Sequence, residues 1–131
     1  MPSAIYNNAE VSSVTVGIDS VEIDRMAKYM AKHSFVERFF SEAEIAEFSK
    51  RSYRPEHVAA AFAAKEAFSK AIGTGIRGFN LKDVSLLHNE LGKPYLVFEN
   101  EAKDIVEKLG VGFDVSITHT DALATAVVIS F

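Results

Sequence analysis

The chain of 131 residues contains no cysteine, which excludes a disulfide framework and a thiolate metal site and makes a reducing cytoplasm the simplest compartment. Any bound metal must sit on oxygen or imidazole. Nowhere do ~18 consecutive apolar residues occur, so a membrane span is not expected, and residues 1–13 lack the basic-then-apolar order of a signal peptide. Cationic excess is also lacking. Lys and Arg number 14 against 18 Asp and Glu, and the formal net charge of -4 argues against general nucleic-acid binding, which draws its affinity from neutralised phosphates. An anionic partner must therefore find a local basic patch. No internal repeat or low-complexity tract occurs.

A hydrophobic content of 48% over this length fits one compact domain. Residues 1–13, with Asn7-Asn8 and Ser12-Ser13, read as a flexible leader, and residues 14–131 as a single domain. Val14 to Ile18 reads as a strand, with Asp19-Ser20 placed to cap a helix from Val21 to His33. Ser41-Glu42-Ala43-Glu44 has capping-box spacing and starts a short helix to about Lys50. Arg51 to Pro55 breaks it, and a long alanine-rich helix spans roughly Glu56 to Ile72, ended by Gly73-Thr74-Gly75. Val84–His88 and Tyr95–Phe98 flank a hairpin turn, residues Asn100 to Leu109 form a helix, and two strands, 113–119 and 122–130, close the chain. Ala122, Ala124 and Ala126 share one face of the last strand and invite close packing of the long helix. The expected architecture is α+β, with helices packed on a small antiparallel sheet.

The chemistry concentrates in few residues. Glu66 and Lys70 are four apart on the long helix, as an ion pair or as part of a binding face. Asp19 is a helix cap or, with Glu66, half of a magnesium site, since magnesium is held by one or two carboxylates, waters and phosphate oxygens. Lys65 or Lys70 supplies charge to the same phosphates. His119 ends the alternating row Phe113, Val115, Ile117, where it can bond a phosphate, shuttle a proton or satisfy its own turn. Gly92-Lys93-Pro94 and Gly73-Thr74-Gly75 are turns able to border an anion, and neither matches a P-loop. His33, His57 and His88 read as surface residues. Arg25, Lys28 and Lys32 line one side of the first helix, as a solvated stripe or a dock for an acidic protein.

Five segments together resemble the bacterial holo-acyl-carrier-protein synthases, the small 4'-phosphopantetheinyl transferases. They are Gly17-Ile18-Asp19 with Arg25, Phe39-Phe40-Ser41-Glu42-Ala43-Glu44, Phe62-Ala63-Ala64-Lys65-Glu66-Ala67 through Gly75, Gly92-Lys93-Pro94, and Val115-Ser116-Ile117-Thr118-His119. The resemblance spans residues 14–131. It implies magnesium-dependent transfer of 4'-phosphopantetheine from coenzyme A to a serine of apo acyl carrier protein, releasing adenosine 3',5'-bisphosphate, in fatty acid biosynthesis. It also implies the family's fold and a cytoplasmic homotrimer with active sites between subunits. By the same resemblance Asp19 and Glu66 are magnesium ligands and Lys70 meets the coenzyme A phosphates. His119 stands at the subunit interface, and Arg25, with Lys28 and Lys32, engages the carrier protein. Glu66, Lys70 and His119 are then the catalytic set, with Glu66, His119 or a metal-ordered water as base. Lys65, Gly73, Thr74, Gly75, Lys93 and Pro94 border the nucleotide. Many family members carry a basic residue where this chain has Ala61, so the 3'-phosphate contact passes to Arg51, Arg54 or a neighbouring subunit's lysine. Two other readings are a non-catalytic module for coenzyme A or another nucleotide, and a transferase serving a polyketide or peptide synthetase carrier domain.

Overall fold

The computed structural model describes residues 14–131, and the expected leader lies outside the described residues. The elements in order are β1 (Thr15–Glu22), α1 (Ile23–Met30), α2 (Phe35–Phe39), α3 (Glu42–Lys50), α4 (Pro55–Ala71), β2 (Val84–His88), β3 (Pro94–Phe98), α5 (Asn100–Leu109), β4 (Phe113–His119) and β5 (Leu123–Ser130), with a 3-10 turn at Leu81–Asp83. The α+β expectation holds. The strands form two sheets rather than one, a three-stranded sheet in the order β1-β5-β4 and the separate hairpin β2-β3, all pairs antiparallel.

The expected helix start at Val21 is overturned. β1 continues to Glu22 because β5 offers it a full ladder, Asp19 opposite Ala126 and Glu22 opposite Leu123, which satisfies more backbone than an early helix turn would. Asp19 therefore lies within a strand and caps nothing, and α1 begins at Ile23 with no side-chain cap. It also ends at Met30, short of Lys32. The capping box at Ser41 and Glu44 forms as expected, and Pro55 opens α4 at its first turn. Ala122 is exposed in the turn before β5 rather than in the strand. No helix among the described residues is long and apolar enough to cross a membrane.

α4 packs across β1 and β5, burying Ala63, Ala67 and Ala71 together with Ala124, Ala126 and Val128. Its approach to β1 is the closest the backbone allows. A Cβ added at Gly17 would lie 1.9 Å from the carbonyl oxygen of Ala67 and 2.6 Å from the amide nitrogen of Ala71. Only hydrogen fits there. The Thr15 hydroxyl donates to the Ala71 carbonyl at 2.7 Å and fastens the contact. Asp19, two residues along from Gly17, points to the same face of β1 and is carried to the flank of α4. Aromatic contacts of Phe68 with Phe79, Phe98 and Phe113 join the hairpin to the main sheet.

Candidate functional site

β1 and α4 bring three of the expected residues together. The Lys70 ammonium donates to the Ile18 carbonyl at 2.9 Å and to Asp19 Oδ1 at 3.2 Å. Glu66, one turn earlier on α4, faces the same carboxylate, and its pKa is held above the ordinary range by burial first and by the Asp19 charge second, against the pull of Lys70. Asp19 Oδ2 is buried and has no hydrogen-bond partner. Among the described residues no group of three or more His, Cys, Asp or Glu gathers. Two carboxylates, one with a spare buried oxygen, are nevertheless the donor set of a hard cation that completes its shell with water and phosphate oxygens. The residues fit magnesium. Beside them runs an open groove along α1, with Arg25, Met26, Tyr29 and Phe62 in its walls.

Lys65 is removed from the site. It is 0% exposed, and its ammonium is taken by Glu44 at 2.6 Å, by the Leu81 carbonyl at 3.0 Å and by the Val84 carbonyl. Glu44 in turn accepts from the Ser41 amide at 3.0 Å and the Leu86 amide at 2.9 Å. The ammonium has no free donor direction left for a phosphate, so Lys65 ties α3, α4 and β2 together instead. Burial pulls its pKa down against the attraction of Glu44.

The other expected residues lie elsewhere. His119 is exposed at the end of β4. Asp19 pairs with Ala126, and Ala126 with Ile117, so β4 stands two strand spacings, ~10 Å, from Asp19. A cleft forms on that side, bordered by Arg51, His57, Ala61, His88, Gly92 and His119. Positions 57 and 66 of α4 are separated by two and a half turns at ~3.6 residues per turn, which puts cleft and acids on opposite flanks of the helix. His57 and His88 are therefore not the free surface residues expected. His88 is half-buried, its amide and Nδ1 bonded to Glu47 at 3.0 and 2.8 Å, and His57 Nδ1 is buried without a partner. The sequence signal for His57 was its place four before Ala61, on one helical face. Arg54 pairs with Glu56 at 3.8 Å and does not line the cleft.

Lys93 sits in the hairpin turn and is held by Asp114 at 2.7 Å, while Pro94 opens β3. That bond also holds the Asp114 carboxyl below the usual carboxylate range. Gly73 and Gly75 take φ of 79° and 62° directly after α4, with open space on their outer side. Arg25 is exposed and pairs with Glu22 at 3.5 Å, Lys28 is exposed, and Lys32, beyond α1, lies 5.1 Å from the Tyr29 ring.

The family model described as the 4'-phosphopantetheinyl transferase superfamily matches residues 15–127. The chain belongs to this superfamily. It is 42% identical over 114 residues to the holo-[acyl-carrier-protein] synthase of Clostridium beijerinckii, covering 86% of this chain and 93% of that one. The same kind of synthase from a Thermoanaerobacter species is 39% identical over 117 residues, 88% of this chain and 85% of that one. The ACPS-CoA complex from Chronobacterium ammoniagenes superposes with a TM-score of 0.80 at 31% identity, covering 92% of this chain and 98% of that one. Superfamily membership makes the chain a transferase enzyme of this α+β fold.

Proposed function

We propose that the protein transfers 4'-phosphopantetheine from coenzyme A to a serine hydroxyl of an apo acyl carrier protein, releasing adenosine 3',5'-bisphosphate, in fatty acid biosynthesis in the cytoplasm. The observation that carries this reading is the meeting of Asp19 and Glu66 beside Lys70, with a buried carboxylate oxygen left over. A module that only binds coenzyme A has no use for two facing acids.

In the reaction the serine oxygen forms a bond to the β-phosphorus, the bridging P–O bond breaks to free the bisphosphate, and the serine proton passes to a base. Asp19 and Glu66 would hold magnesium, which would supply charge to offset the negative pyrophosphate. Lys70, anchored by Asp19 and the Ile18 carbonyl but 55% exposed, places its cation where phosphate oxygens approach. Within one chain Glu66 or a metal-ordered water is the base in reach of this centre, because His119 faces the other flank of α4. Gly73, Thr74, Gly75, Lys93 and Pro94 border the nucleotide in this reading. A homotrimer completes it. Support comes from the outer face of the three-stranded sheet, where Val16, Ile18 and Ile129 are 61%, 57% and 36% exposed, and from the division of the site between two flanks that a neighbouring copy would bring together.

The direct test is incubation with coenzyme A, magnesium and an apo acyl carrier protein, read by intact mass. A magnesium-dependent gain of phosphopantetheine supports the transferase, and no gain on several carriers with coenzyme A still bound favours the binding module. Arg25→Ala is expected to raise KM for the carrier about fivefold, the worth of an exposed charge contact of ~1 kcal/mol, with a smaller effect on KM for coenzyme A. Equal effects on both would remove the docking role of Arg25. Magnesium is expected to raise Tm more near pH 8 than near pH 5.5, because the proton competes for Glu66, whose pKa is raised. An undiminished magnesium shift in Asp19→Asn would remove Asp19 from the metal site.

A further inference from the structure

Lys70 holds two oxygens on the flank of α4 that carries the acids. Its ammonium donates to the Ile18 carbonyl at 2.9 Å and to Asp19 Oδ1 at 3.2 Å, and the remaining N–H stays available to a phosphate oxygen. Asp19 and Glu66 line one groove, and of the Asp19 carboxylate only Oδ2 is left, buried and without a partner. That state is costly for a polar atom unless a cation takes it. The Asp19 side chain is 14% exposed against 55% for that of Lys70, so the lysine covers the acid from the solvent side. While the bond to Oδ1 stands, the carboxylate cannot offer both of its oxygens to one ion.

We propose that Lys70 determines which cation the acids accept: by withholding Asp19 Oδ1 and the Ile18 carbonyl it makes Asp19 a one-oxygen ligand, which favours magnesium over calcium. The inference rests on the reading above in which Asp19 and Glu66 hold a divalent cation, and it adds what sets the choice of ion. Calcium takes about six to eight oxygens, readily from both oxygens of one carboxylate and from backbone carbonyls. Magnesium is smaller, demands octahedral geometry at ~2.0–2.1 Å, keeps several waters and needs only one or two carboxylates. The arrangement leaves the smaller ion what it needs and denies the larger one two oxygens it would use. The Lys70 charge alone does not discriminate, because it repels two ions of equal charge nearly alike.

Lys70→Met removes both bonds at an exposed position and keeps the volume of the stem, so the fold is expected to survive. The experiment titrates magnesium chloride and calcium chloride separately into the full native chain and into Lys70→Met after treatment with chelator. Dissociation constants are read from the rise in Tm and from titration heats, with no turnover involved. The native chain is expected to bind magnesium more tightly than calcium. In the variant both constants fall as the repulsion is lost, and the calcium constant falls about tenfold further, because Oδ1 and the Ile18 carbonyl join its shell. An equal change in both constants reduces Lys70 to a charge and overturns the proposal. So does a native chain that prefers calcium, or a folded variant that binds neither ion. A native chain that binds neither ion sinks the metal reading and this inference with it, whereas binding with an unmoved calcium-to-magnesium ratio sinks this inference alone.

Discussion

Glu66→Gln is expected to lower kcat/KM by about 10³-fold or more while the fold survives, because it removes one of the two carboxylates that face each other and leaves the side-chain volume unchanged. Without metal, the variant should even melt slightly higher than the native chain near neutral pH. A carboxyl whose folded pKa is raised stabilises the fold below its unfolded value, and that contribution is lost as pH rises through the folded value. Once ionised, as pH rises above its folded value, Glu66 sits beside Asp19 at a cost that glutamine does not carry. Magnesium should then stabilise the native chain and leave the variant nearly unmoved. Turnover within about threefold of native in a folded Glu66→Gln would remove Glu66 from both metal and proton roles.

Lys65→Met is expected to unfold the protein at growth temperature or lower its stability by ~3–5 kcal/mol, a large share of the ~5–15 kcal/mol typical of a domain. The methionine fills the stem's space, but Glu44 is left charged in the interior and the Leu81 and Val84 carbonyls lose their donor. Lys65→Met with Glu44→Gln should recover part of the loss, since a neutral amide still accepts from the Ser41 amide without an unpaired charge. Thermal melts of the single and double variants decide this. A Lys65→Met protein that melts like the native chain but binds coenzyme A poorly would return Lys65 to the ligand site.

The contrast between Lys65 and Lys70 shows where residue-level reading stops. Both are lysines on one alanine-rich helix, five positions apart, and both follow the same resemblance to a phosphate-binding block. Helical spacing puts them on different sides, yet nothing local says which side faces solvent. The buried partner of Lys65 is Glu44, 21 positions away, whose capping-box role was legible but whose burial was not. Asp19 shows the reverse. Its pairing with Glu66 was anticipated by the resemblance, while local capping rules placed it at a helix start, and the ladder to β5 overrode them.

By itself the sequence determined the element types, the capping box at Ser41, the glycine stop after α4, the small-residue packing of α4 on β5 and the transferase family, because these depend on periodicity, backbone preference and short ordered motifs. The tertiary structure alone decided that Gly17 lets two backbones touch, that Lys65 is locked away, and that His57 opens into a cleft on the far flank from the acids. Each of those depends on contacts between segments distant in the chain, and such contacts leave no period in either segment.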